Sequence, residues 1–412
     1  MTPKPELKRS LTLPVLTLYG LGTTVGAGIY VLVGAVAGRA GIYAPVAFLL
    51  AAVLASLTAL SFAELAARFP KSAGEAVYVR EGLRSERLAL IVGLLVVLAG
   101  TISSSAIAVG AVGYILRFME LPWTPTLVVL IIGLGSVAAW GIMESALIAA
   151  VITVVEIGGL LVVIVGGWVA MPDLLSRIPE VVPPFEIGPW AGVIAGVLLA
   201  FYAFIGFEDM VNVAEEVRDV RRTLPLAIVL TLVITTVIYL LVTLVAVLVV
   251  PLAELSDSRA PVALIFERTI GESAAVISLI AIVATLNGVL VQIIMASRVL
   301  YGLSRAGAIP ALFGVVNPRT RTPLRATITV TAVIVVLATS FPIEQLAEAT
   351  SLVALTIFTL TNAALVALKW RGPTPPGLPN VPLLVPAAGI VASLGFIGLE
   401  ALRLWRFFAA GG

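Results

Sequence analysis

"GTTVGAGIYVLVG" (Gly22–Gly34) sits early in a hydrophobic run that has the length and polarity of an uninterrupted helix. Four of its thirteen residues are glycine, and each costs about 1 kcal/mol against alanine inside a helix. Glycine at that density has two physical uses. It lets a backbone open where a helix must break, or it lets two helices approach closely, as small-xxx-small motifs do. The rest of the chain bears on the choice.

Of the 412 residues, 60% are hydrophobic and 12% charged, and mean hydropathy is +1.14. A water-soluble domain of that size could not cover its surface with so few charges, so the chain is expected to live in a membrane. Cysteine and histidine are both absent. That removes disulfides, thiol nucleophiles, the usual proton shuttle and the commonest metal ligand. With the carboxylates scattered, no nucleophile–base pair or metal site forms, and an enzyme is not expected. Neither a cofactor nor a metal nor a nucleic-acid partner is implied. The start, "MTPKPELKRS", reads as a short polar tail and not as a cleavable signal.

A spanning helix needs about 20 mostly apolar residues. That rule predicts eleven spans, near 12–36, 43–66, 88–116, 125–141, 146–169, 190–214, 224–250, 273–303, 324–341, 347–368 and 382–404. Eighteen of the 25 lysines and arginines then fall on one side, which places the N-terminus in the cytoplasm of a multi-pass cell-membrane protein. Two proline-rich stretches read as linkers: 171–189, and "RGPTPPGLPNVP" (Arg371–Pro382), which sets off the last span.

The sixth span, "PWAGVIAGVLLAFYAFIGFEDMVNVAEEV" (Pro189–Val217), carries Gly206 mid-run, followed by Glu208 and Asp209. Interruptions five spans apart are the mark of an inverted-repeat transporter, and exposed backbone at membrane depth is tolerated only where it lines a site. Free N–H groups at a half-helix start attract a carboxylate, and free carbonyls at a half-helix end attract an ammonium. Two such breaks side by side would receive a zwitterion, which suits binding better than channel conduction.

"GTTVGAGIY" and "FYAFIGFEDMVNVAEEVRDVRRTLPLAI" resemble the amino acid–polyamine–organocation transporters, with the first part most similar to their cationic amino acid branch. "SFAELAARFPKSAGEAVYV" after span two and "SRVLYGLSRAGAIP" closing span eight extend the resemblance over residues 10–370. It implies an all-α, LeuT-like fold of two inverted five-helix repeats (1–170 and 171–370), discontinuous helices 1 and 6, and an extra span in 371–412. Many members have twelve spans; eleven are found here. The resemblance further implies that the amides of Ala27, Gly28 and Ile29, in the Gly26–Gly28 turn, hold a substrate carboxylate. The carbonyls of Thr24, Ala203 and Ile205, beside Gly206, would hold its amino group, and Tyr202 falls where the family places an aromatic gate. An ordinary apolar wall is the alternative role for Tyr202.

Span five, "ALIAAVITVVEIGGLLVVIVGGW", has Glu156 as its one charge, twelve residues past Glu144 and so about 18 Å along a helix. An ionisable group at that depth is a functional hypothesis by default. Several proton-coupled relatives carry a lysine here, so the opposite charge prevents a simple transfer of their mechanism. Thr285 and Asn287 of span eight are polar candidates to face Glu156. After the break in span six, α-helical geometry aligns Glu208 with Asn212 and Glu215, which favours Glu208 over Asp209 as the group turned to the site. Asp209 then reads as a polar cap.

The expectation is a secondary active transporter of amino acids working by alternating access, coupled to an ion through Glu156 and Glu208, H+ ahead of Na+. Transport of an amine or polyamine cation, or amino acid exchange, is the alternative, with membrane lipid as the surrounding partner.

Overall fold

A computed structural model describes residues 11–71, 74–141, 146–271 and 273–409. Among them the architecture is helical throughout. The first half contains α1 (Leu13–Ala40), α2 (Ala44–Arg68), α3 (Gly74–Leu83), α4 (Glu86–Ile115), α5 (Trp123–Trp140) and α6 (Ala146–Ala170). Then follow α7 (Ile187–Tyr202), α8 (Val220–Val249), α9 (Leu252–Asp257), α10 (Pro261–Ile270) and α11 (Ala275–Arg305). The chain ends with α12 (Leu324–Ser340), α13 (Ile343–Arg371) and α14 (Leu384–Ala409). Short 3-10 segments cover Gly41–Tyr43, Ile178–Val181, Phe207–Glu216 and Ala311–Gly314.

Nine stretches of the described residues are long and apolar enough to cross a membrane, the first of them running over Gly28–Arg68 and so taking in the turn between α1 and α2. Leu13–Val25 and Leu324–Ser340 are shorter apolar helices. The chain is therefore a polytopic helical membrane protein.

The sequence expectation of two interrupted helices is half met. Span six breaks: α7 stops at Tyr202, and after a turn the chain resumes as 3-10 helix from Phe207. α1 does not break. It is helical from Leu13 to Ala40, through the whole of Gly22–Gly28. The glycines of α1 instead serve as contact faces. A β-carbon on Gly20 would lie 2.4 Å from Met210 Sδ, one on Gly22 2.2 Å from Thr153 Oγ1, and one on Gly34 2.4 Å from the Leu255 carbonyl. Any larger residue would hold those neighbours off, so close packing offsets the helix-propensity cost.

α1 lies at the centre, packed on α6, α7, α8 and α11. Its N-terminal approach is tied to the far end of span six. The Leu11 N–H donates to the Glu216 carbonyl at 3.0 Å, and the Arg218 N–H donates to the Leu11 carbonyl at 2.9 Å. α4 packs on α11 and α13, α2 on α7 and α8, and α5 on α12 at the periphery. α14 rests on α13 and α2.

Candidate functional site

The site grows from one backbone irregularity. Gly206 has φ +128°, a conformation that side chains oppose, and a β-carbon there would sit 2.4 Å from the Thr23 carbonyl of α1. Both facts require glycine. A β-carbon on Gly28 would likewise lie 2.4 Å from Ala203 Cα, so α1 and the break are in backbone contact. The Thr23 hydroxyl bridges them, 3.0 Å from the Gly206 carbonyl and within hydrogen-bond range of its own Gly20 carbonyl.

A broken helix leaves carbonyls that side chains must meet. Ser351 of α13 donates to the Leu198 carbonyl at 2.7 Å. The Tyr239 hydroxyl of α8 lies 2.8 Å from the Ala203 carbonyl and 2.8 Å from the Thr24 carbonyl. One hydroxyl carries one proton, so two acceptor dipoles converge on a single donor. Phe48 and Phe204 flank the Tyr239 ring edge-on, with centroids 5.7 and 5.1 Å away. Phe62, Phe207 and Phe358 close the other side of the break. All of these rings are buried.

The residues singled out from sequence are distributed as follows. Thr24 is buried, and its hydroxyl donates to the Gly20 carbonyl at 2.8 Å. Gly28 and Ile29 are buried inside α1, where helical geometry directs their N–H groups to carbonyls four residues back. The free amides expected at Ala27–Ile29 are therefore not free in this conformation. Gly26 and Ala27 share the helix, and their surroundings lie outside the described set. Tyr202 is no apolar wall: its hydroxyl lies 3.0 Å from Ser103 Oγ and donates to the Ser103 carbonyl at 3.2 Å. The Ile205 N–H donates to the Tyr202 carbonyl at 3.1 Å.

Glu156 is 1% exposed on α6, and its backbone carbonyl accepts from the Tyr30 hydroxyl at 2.7 Å. Thr285 bonds its own helix at the Ala281 carbonyl, and Asn287 lines a cavity with Asp209. Glu144 falls outside the described residues.

Glu208 and Asp209 depart from the expected arrangement. Because Phe207–Glu216 is 3-10 helix, with three residues per turn, it is Asp209, Asn212 and Glu215 that share a row. Glu208 turns back and accepts the Gly206 N–H at 2.9 Å, so the capping role expected of Asp209 belongs to Glu208. Asp209 Oδ2 is buried with no hydrogen-bond partner, and so is Gln292 Oε1 of α11. Asp209 and Gln292 together line two small cavities. One, of about 50 Å³, also touches Tyr19, Thr153 and Asn287; the other, of about 30 Å³, also touches Glu75, Ser103 and Glu208. Glu75, in the first turn of the connecting helix α3, is 4% exposed. Burial pushes its carboxyl up to about 7, and the neighbouring Glu208 charge adds to the rise.

A family model described as "Amino acid permease" matches residues 11–410. The chain belongs to that family. It is 32% identical over 391 residues to "Cationic amino acid transporter 4, vacuolar" of Arabidopsis thaliana, covering 89% of this chain and 64% of the relative. It is 27% identical over 431 residues to "Branched-chain amino acid permease BcaP" of Bacillus subtilis (strain 168), covering 97% and 91%. A third relative, the "Methylthioribose transporter" of the same bacterium, is 29% identical over 414 residues, covering 93% and 87%. The chain thus spans a little under two thirds of the length of the Arabidopsis transporter.

Tyr239, Gln292 and Glu75 border the break or its cavities and were not singled out from sequence, and Asp209 was read there only as a cap. A lone tyrosine in "ITTVIYLLVTL" was a usable signal. Glu75 was visible only as a charge inside a motif, and no local pattern pointed to Gln292.

Proposed function

We propose that this chain is a secondary active transporter that moves amino acids across the cell membrane by alternating access. The observation that carries the proposal is the convergence of the Thr24 and Ala203 carbonyls on one hydroxyl, each 2.8 Å from Tyr239 Oη. Two carbonyl dipoles aimed at one point, in a site sealed from water, suit a substrate ammonium better than they suit a single neutral donor. The substrate carboxylate would be taken by the amides of Ala27, Gly28 and Ile29 once α1 opens at Gly22–Gly28, with Ile205 and Gly206 on the facing wall and Tyr202 above. Glycine makes such opening inexpensive, so the same residues serve close packing in one state and local unwinding in another.

In this proposal 1–170 and 171–370 are inverted repeats that rock about the α1–span six contact, 371–412 adds the eleventh crossing, and the N-terminus is cytoplasmic. Coupling is to H+ in preference to Na+, through Glu156 and Glu208. A second reading, transport of a basic amino acid or an amine, is favoured by two buried carboxylates, Glu75 and Asp209, and the half-buried Glu208 around one small cavity.

The test is uptake of radiolabelled amino acids and amines into proteoliposomes, with and without an inward pH gradient. Accumulation of an amino acid above equilibrium, dissipated by a protonophore, is expected. Accumulation of amines alone selects the second reading, and uptake driven by a sodium gradient alone rejects proton coupling.

A further inference from the structure

We infer that Asp209 and Glu75, together with the Gln292 amide, form a proton-holding site at the junction of the two small cavities, separate from the carbonyls of the break. The argument starts from satisfaction. Buried polar atoms are normally hydrogen-bonded, and each exception calls for an explanation. Here two acceptors, Asp209 Oδ2 and Gln292 Oε1, are orphaned beside the same two cavities. A proton on Asp209 turns one orphan into a donor, which a neighbouring acceptor or a water can then satisfy.

The surroundings select a proton over a larger cation. Among the described residues no group of three or more acidic side chains could hold a metal ion. Cavities of about 50 and 30 Å³ admit only a few waters, at about 10–15 Å³ per water site, and leave no room for a substrate side chain. Glu208 lies on the same segment as Asp209, and Glu75 borders the same cavity from α3. Tyr19 of α1 feels Asp209 and Glu216, with Arg298 of α11 as the opposing positive charge. Two buried carboxyls on one cavity, with the Glu208 charge beside them, favour a shared proton over full ionisation.

Glu75 supplies the second half of the site. It borders the same cavity as Asp209 but stands on the connecting helix, outside the spans. A proton leaving Asp209 breaks its O–H bond as one forms on a cavity water, and that water passes its own proton to the Glu75 carboxylate. One proton moves and no electrons are exchanged. Gln292, whose amide both donates and accepts, can serve Asp209 in either protonation state. Use of this proton in uphill transport rests on the function proposed above, but the existence of the site does not.

The experiment therefore has two arms. In the first, purified full-length chain is titrated from acid to alkaline pH by infrared difference spectroscopy. A protonated-carboxyl band persisting near neutrality is expected in the parent, and it should be lost in Asp209→Asn and changed in midpoint in Glu75→Gln. Thermal melting checks folding, and Glu75→Gln carries the arm alone if Asp209→Asn does not fold. A band pattern untouched by both substitutions overturns the proposal. In the second arm, proton entry accompanying amino acid addition is followed in proteoliposomes. It should be lost in Asp209→Asn, and entry at the parental rate overturns the use of this proton in transport. A parent that transports no amino acid but keeps the titrating band would reject the transport function and leave the proton site standing.

Discussion

Glu64 and Asp209 are both carboxylates sealed inside the molecule, 0% and 5% exposed, and the fold treats them in opposite ways. Glu64 closes α2. Its Oε1 accepts from Arg68 Nε at 3.0 Å and from the Thr374 hydroxyl at 3.0 Å. Its Oε2 pairs with Lys369 Nζ at 2.9 Å and accepts the Val381 N–H at 2.7 Å. Every lone pair has a donor, and those donors come from α2, α13 and the proline-rich linker that leads to α14. Asp209 has one oxygen without a partner and two further carboxylates for company. A saturated carboxylate is a joint: its desolvation is offset by charge-assisted bonds that fix the chain in place. An unsaturated one stores the cost of burial and discharges it only when something arrives.

The comparison breaks most decisively at Glu64. Glu64→Ala leaves Arg68 and Lys369 buried without their counter-charge, and loss of one partner of a buried pair costs about 3–5 kcal/mol. A large fall in melting temperature and protease cleavage within Arg371–Pro382 are expected. Asp209→Asn should melt at or above the parental temperature, because it removes an uncompensated acid. Equal destabilisation of the two variants would erase the distinction.

A smaller effect separates the parent from Glu75→Gln as pH changes. The folded-state value for Glu75 is about 7, above the 4.5 of an unperturbed glutamate. A raised acid binds its proton more tightly when folded, so folding loses stability as pH climbs from about 4.5 to about 7 and no further above that. Glu75→Gln lacks this loss. The two should have similar stability in acid and diverge by up to about 3 kcal/mol by neutral pH. Parallel melting curves at all pH values would place Glu75 in contact with water.

The smallest expected effect belongs to Tyr239→Phe. The ring stays in place against Phe48 and Phe204, but two buried carbonyls lose their donor, at a cost of about 1–3 kcal/mol. A saturating amino acid should recover part of that loss, because a bound ammonium replaces the missing donor. Ligand-induced stabilisation no larger than in the parent would detach Tyr239 from the substrate site.

The glycine-rich stretches show where sequence reasoning succeeds and where it stops. Gly206 was legible because a charged pair follows one residue after it, and no apolar helix runs straight through Glu208 and Asp209. Gly22–Gly28 was not, because glycine signals close contact and open backbone alike, and only the neighbour tells them apart. Here the neighbours are Thr153 and Ala203, from chain segments more than a hundred residues away. The assignment between Glu208 and Asp209 failed for a more local reason. A 100° step per residue was applied to a segment that adopts 3-10 geometry, and the change of period moved the shared face from Glu208 to Asp209.

What the residues alone determined was the class of molecule, a polytopic helical membrane protein, since hydropathy over 20-residue windows depends on composition and not on partners. They also determined that span six would break. Tertiary structure decided which acid is saturated and which is orphaned, because hydrogen-bond satisfaction depends on donors from distant elements. It decided that α1 stays whole, because neighbouring side chains and backbone fill its glycine face. It decided, too, that one tyrosine of α8 stands at the point where α1 and the break turn their carbonyls toward each other.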